Sequence, residues 1–256
     1  MNFDCQADAL LLLRNLADSD AHSIILCGML SCGKTHLAWR YSDFVHTDNF
    51  ISVPSKMTDI KSIVDDCSSL NTSVTICFEN IDTGVLGVSN ALLKLLEEPP
   101  KNVYIVITCK NISNVLSTVV SRCIVVSVMN PTQKDLLNYA SKIHFSMNTD
   151  SDIWNSLYDF SDIDIISKLT QDQILYFESC LKTVYSKDPI IVKLWKIQKF
   201  PDGNPVPTKL LIQYIMHMSK SSVVSGCGRS CIHDIMSGKI ASHAALAKFL
   251  LDCSMI

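Results

Sequence analysis

Along the first half of the chain, short all-apolar runs alternate with stretches whose apolar residues recur every three to four positions. HSIILCG at 22–28, SVTICF at 73–78, VYIVITC at 103–109 and SRCIVVSV at 121–128 read as strands buried on both faces. Between them, KTHLAWRYSDFV at 34–45, MTDIKSIVDDCSS at 57–69 and SNALLKLLEE at 89–98 have helical spacing, and Pro99-Pro100 stop the last one. Strands joined by helical crossovers predict an α/β unit over residues 1–129, a parallel sheet with helices on both faces. At Asn130-Pro131-Thr132 the period becomes helical throughout, apart from the turn FPDGNPVP at 200–207. We read a small helical unit over 130–170 and a second one over 171–256.

Composition narrows the class. With 48% apolar residues in 256, the chain has material for at least one full core, and no long tract is polar enough for disorder. The net charge is −3, split unevenly: residues 1–170 carry 12 Lys/Arg against 19 Asp/Glu, and 171–256 carry 10 against 6. A wholesale basic footprint for nucleic acid is therefore absent. The 11 cysteines are scattered singly, several inside apolar runs, and read as reduced thiols, not a disulfide framework. No run reaches the length of a membrane span, since Arg14 interrupts Ala9–Leu13, and no basic stretch leads into an apolar core at the N-terminus. The expectation is a soluble cytoplasmic protein of a reducing compartment, with no membrane partner.

Gly28-Met29-Leu30-Ser31-Cys32-Gly33-Lys34-Thr35 fits the phosphate-loop pattern G-x-x-x-x-G-K-[ST], and it lies between a strand and a helix as that pattern requires. Backbone N–H groups around Gly28, Ser31, Cys32 and Gly33 would wrap phosphates at a helix N-terminus. Lys34 would reach the β- and γ-phosphates of ATP and Thr35 would ligate Mg²⁺. A helix N-terminus lowers a thiol pKa, which makes Cys32 a candidate redox switch, but the plainer reading is a small residue that fits the loop.

Such a loop needs an acid at the end of a neighbouring strand. Glu79, 45 residues after Lys34, takes that place as the second Mg²⁺ ligand. The next position, where a carboxylate would polarise the attacking water, is Asn80, a neutral amide that cannot take the proton. Asp82 could substitute only if the chain bends, because two residues of strand span about 6–7 Å. The pattern predicts binding without rapid hydrolysis.

Here the residues resemble a family. Asn90-Ala91-Leu92-Leu93-Lys94-Leu95-Leu96-Glu97-Glu98-Pro99-Pro100 is similar to the NALLKTLEEPP segment of bacterial sliding-clamp loaders, the AAA+ gamma/tau and delta-prime subunits. VYIVITCKNISNVLSTVVSRC resembles their strand, loop and Ser-Arg-Cys motif, and HSIILCG resembles their HAYLFSG. The likeness is strong over 21–130, weaker over 130–170 and architectural beyond. It implies a subunit that binds ATP in an oligomeric loader and helps place a sliding clamp on primed DNA. It also implies that Arg122 is an arginine finger for a neighbour's γ-phosphate, that Thr108 lies near the γ-phosphate sensor, and that the C-terminal helices form an oligomerising collar.

The departures bear on turnover. The gamma-type zinc-binding cysteine insertion is absent, with Cys67 alone in that interval. The adenine-holding N-terminal segment reads as missing or very short, and Asp164 falls near the place where the family often sets an arginine against the nucleotide. With Asn80, these point to a divergent, minimal subunit of the delta-prime kind, in a cellular or viral replisome. From a different class, a self-contained P-loop helicase or small-molecule kinase shares the loop, but the Arg122 motif after the LLKLLEEPP helix argues against a kinase. Cys227, Cys231 and His233 offer three zinc ligands at a spacing of no common finger. Five lysines at 181–199 could face DNA; a solvated helix face over a buried Trp195 explains them equally well.

Overall fold

The computed structural model describes residues 6–54, 72–83, 86–146, 150–184, 199–236 and 239–254, with scattered positions between 185 and 199. The expected helix at 57–69, Cys67 and Trp195 lie outside the described residues. The chain divides into two compact units, Met1–Asp135 and Leu136–Ile256.

In the first unit the order is α1 (Ala7–Asp18), β1 (Ser23–Cys27), α2 (Lys34–Phe44), β2 (Asn49–Pro54), β3 (Val74–Glu79), α3 (Leu86–Glu97), β4 (Val103–Cys109), α4 (Ser117–Val120) and β5 (Ile124–Ser127). The strands form one parallel sheet in the order β2-β3-β4-β1-β5. The four expected strands are present. The fifth, β2, pairs with β3 at the sheet edge, so that Pro54 stands opposite Glu79. Alternation along the strands divides the core between the two faces. Ile24 and Leu26 pack with Leu13, Leu37 and Tyr41, whereas Ile25, Ile76 and Ile105 pack with Leu92, Leu95 and Val119. Helices thus cover the sheet on both sides, which is why its strands read as uninterrupted apolar runs.

The first unit ends as the next helix begins. Thr132 and Asp135 cap each other at the start of α5 (Gln133–Lys142): the Thr132 N–H donates to Asp135 Oδ2 at 2.7 Å and the Asp135 N–H to Thr132 Oγ1 at 3.3 Å. The sequence break at Asn130-Pro131-Thr132 lies just before this cap.

The second unit is helical: α6 (Asp152–Asn155), α7 (Phe160–Ile166), α8 (Gln171–Val184), α9 (Thr208–Ser219), α10 (Ser222–Met236) and α11 (Ser242–Ser254). The turn expected at 200–207 is there. Gly203 takes φ +87°, and Asp202 accepts the Asn204 N–H at 3.0 Å and the Gln173 side chain at 2.8 Å. At the centre of this unit Lys209 is buried between Asp159 and Asp162, each 2.7 Å from its ammonium. Among the described residues no helix is long and apolar enough to cross a membrane.

Candidate nucleotide site

The loop after β1 has the backbone of a phosphate cradle. Ser31 and Gly33 both take left-handed φ, +57° and +95°, and Gly33 stands as the N-cap of α2. A turn of this kind points successive N–H groups into one concavity at a helix N-terminus. Gly28 is required for a different reason. A Cβ there would sit 2.5 Å from the Val128 carbonyl oxygen and 3.0 Å from Cys32 Sγ, so only glycine lets the loop root lie against the chain end of β5.

Lys34 is buried, and its ammonium donates to the carbonyl oxygens of Gly28 at 2.7 Å and Met29 at 2.6 Å. These bonds hold it across the loop with a third donor to spare. Cys32 is fully buried, and its carbonyl accepts from the Gln6 side chain. That burial supports the reading as a small packing residue. The neighbouring thiols are also poor nucleophiles: burial above all pushes Cys109 and Cys77 up to about 12, with Cys27 adding to the first and Glu79 to the second.

Thr35 Oγ1 donates to Glu79 Oε1 at 3.1 Å, and Ser52 Oγ donates to the same oxygen at 2.8 Å. The hydroxyl and carboxylate expected around Mg²⁺ are therefore adjacent, and a set of hard oxygens suits that ion. Glu79 reaches this place because it ends β3 beside the loop, where Ser52 of β2 steadies it. Ser52 went unread in the sequence. The signal was there, as a lone hydroxyl among the apolar positions of NFISVP, but it has meaning only once β2 is placed beside β3.

Asn80 turns out of the strand with φ +50°, a conformation asparagine tolerates better than most residues, and its N–H donates to Thr108 Oγ1 at 2.9 Å. Thr108 is buried on β4, and it is the Asn80 backbone that its hydroxyl accepts. Asp82 has another task than the one considered for it. Its Oδ2 accepts the N–H groups of Lys110 and Asn111, both at 3.0 Å, and fastens the loop that follows β4. Through that oxygen the carboxylate anchors the loop.

Arg122 is not brought to this loop. It lies after α4 with its side chain one-third exposed, and donates to the Thr118 carbonyl at 2.7 Å and to Glu97 Oε1 at 2.7 Å. In the second unit, Asp164 accepts the Tyr139 hydroxyl at 2.7 Å and lines a cavity of about 390 Å³ with Ile143, His144, Phe145, Ser167 and Lys168. Cys227, Cys231 and His233 all lie on α10, and among the described residues no three His, Cys, Asp or Glu side chains are grouped to hold a metal ion.

Comparison with known proteins gives concordant findings. Residues 46–132 match the family described as DNA polymerase III, delta subunit. The chain is 29% identical over 106 residues to DNA polymerase III subunit delta' of Buchnera aphidicola subsp. Baizongia pistaciae, which is 39% of this chain and 31% of that protein. The match thus spans about a third of that relative's length. A DNA polymerase III gamma subunit-related protein of Thermotoga maritima superposes with a TM-score of 0.53 at 19% identity, covering 94% of this chain and 97% of the other. The RuvB Holliday junction branch migration motor of the same organism gives 0.54 at 16% identity, covering 96% and 86%. At such identities these two structures establish the fold alone, a parallel sheet with helices on both faces followed by a helical unit.

Proposed function

We propose that this chain, a clamp-loader-like AAA+ subunit, holds ATP and Mg²⁺ in an oligomeric loader and serves the placing of a sliding clamp on primed DNA. One observation carries the reading. The Glu79 carboxylate meets the Thr35 hydroxyl at 3.1 Å, while the residue after Glu79 is an asparagine whose backbone N–H is held by Thr108. That pairing supports an ion-binding end made by these two residues, and Asn80 stands where a water-activating carboxylate would be expected.

In this reading the residues of the chain divide the work. The N–H groups from Gly28 to Gly33 and the Lys34 ammonium bind the phosphates. Thr35 and Glu79 hold Mg²⁺, which shields phosphate charge when bound. Thr108 fixes the Asn80 backbone, and its hydroxyl proton is directed to the γ-phosphate. Asn80 orients a water without deprotonating it, so intrinsic hydrolysis is slow. Asp82 serves the loop after β4.

Arg122 acts on the neighbouring subunit's nucleotide, which is why it lies apart from the chain's own loop. In this reading residues 130–170 serve as the small lid and 171–256 as the collar. Leu175, Val223 and Leu251, each more than half exposed, give the collar helices an apolar side for packing against other subunits. The match to a delta' subunit supports the same partners, the other loader subunits.

Lys34→Ala tests the nucleotide site. It deletes a charge-assisted contact of about 1.5–3 kcal/mol, so the Kd for ATP rises by about 10–100-fold. Equilibrium binding of a fluorescent ATP analogue, with unlabelled ATP as competitor, measures this. An affinity within threefold of the parent chain refutes the assignment.

A further inference from the structure

We propose that Glu97 is the positioning residue for Arg122, fixing the guanidinium in the orientation it presents to a partner's nucleotide. The proposal rests on the reading of Arg122 as a finger. Glu97 is the last residue of α3, and Arg122 follows α4, 25 positions later. The two stand on a common base, because Leu95 and Leu96 of α3 share one buried cluster with Val115 and Val119. Close packing beneath them leaves the relative positions of the two backbones little freedom.

On that base the guanidinium is held at two points. Nη1 donates to the Thr118 carbonyl at 2.7 Å, with Ser121 Oγ at 3.5 Å, and Nη2 donates to Glu97 Oε1 at 2.7 Å. Five N–H groups are present on a guanidinium. Among the described residues the Nε–H and one Nη2–H have no partner, and both belong to a side chain one-third exposed. A fork with three donors directed at Thr118, Ser121 and Glu97 and two left over suits an anionic phosphate, which takes paired N–H groups. An exposed ion pair of this kind adds little to stability. Its effect lies in removing rotamers, so that less side-chain freedom is lost when the phosphate is met. Glu97 touches no reacting atom; it acts through Arg122.

Two measurements test this. In the isolated chain, ¹⁵N NMR of the guanidinium groups reports rotation about the Arg122 Nε–Cζ bond. The chain has only four arginines, and Arg122→Ala identifies the signal. The rotation is slow in the parent and fast in Glu97→Ala, with Glu97→Asp intermediate. In the assembly copurified with its partner subunits, Glu97→Ala lowers kcat for ATP by roughly 3–10-fold with KM unchanged, and Glu97→Asp recovers part of it. Added to Arg122→Ala, Glu97→Ala has no further effect. If Arg122→Ala leaves turnover intact, the finger reading fails and this proposal with it. If Arg122→Ala is damaging but Glu97→Ala changes neither rotation nor kcat, or damages equally in the Arg122→Ala background, the finger stands and the role of Glu97 is overturned.

Discussion

Arg122→Ala, in the assembly proposed for this chain, lowers ATP turnover at the neighbouring subunit's site by about 10³-fold. The size follows from what a guanidinium does beside a transferring phosphoryl group. Charge develops on that group in the transition state, and a cation placed there in a water-poor site stabilises it more than it does the ground state. The chain's own stability changes little, because the side chain is one-third exposed and its ion pair with Glu97 is open to solvent. Steady-state phosphate release by the assembly, with ATP saturating, gives the number. An unchanged kcat would make Arg122 an ordinary surface residue, as would a loss explained by dissociation of the assembly on a sizing column.

The second large effect is on folding. Lys209→Ala destabilises the chain by about 3–5 kcal/mol, because it leaves Asp159 and Asp162 facing each other in the interior without their cation. The site is built around that charge. Burial works against the ammonium, but Asp162 and Asp159 outweigh it and hold the Lys209 pKa above its ordinary value. Asp162 is fully buried and takes the N–H groups of Tyr158 and Asp159 and the Gln213 side chain, so it cannot turn to water when the lysine is lost. Burial, and then Asp159, push its carboxyl pKa up already in the intact protein.

Removing the lysine raises that pKa further. The folded variant then binds more protons than its unfolded chain, so the deficit relative to the parent shrinks as pH falls through the carboxylate range. Urea unfolding followed by far-UV circular dichroism, at neutral pH and near pH 5, measures both features. A midpoint unmoved at neutral pH contradicts the account.

Much of the nucleotide unit was legible because its signals are local. The β1 run, the glycine spacing and Lys34-Thr35 sit within a dozen residues, and each is dictated by the backbone it must adopt. The buried strands announced themselves by being apolar at every position. β2 did not, because an edge strand with Ser52 and exposed ends lacks that signature, and Ser52 gains its role only across the sheet from Glu79. The work of Asp82 was hidden for the same reason. Its partners, Lys110 and Asn111, come from the far end of another strand, and sequence separation gives no hint that their N–H groups converge on it.

Nor did the helical spacing of the second unit announce a buried ion pair. Lys209 and Asp159 are 50 residues apart and meet only when α7 and α9 pack. Arg122 was marked by its motif, but the hold by Glu97 depends on where α3 ends, which spacing alone leaves open by a residue or two.

In the function proposed for it, the chain holds ATP and turns it over very slowly by itself. The most direct test is steady-state phosphate release by the purified chain at saturating Mg²⁺-ATP, beside Lys34→Ala, with ATP binding measured on the same samples. The account predicts that the parent chain binds ATP and releases phosphate no faster than Lys34→Ala, since general-base catalysis worth about 10²–10⁴-fold is missing at Asn80. Turnover by the parent well above that background would contradict it, and would mean that another group on this chain activates the water.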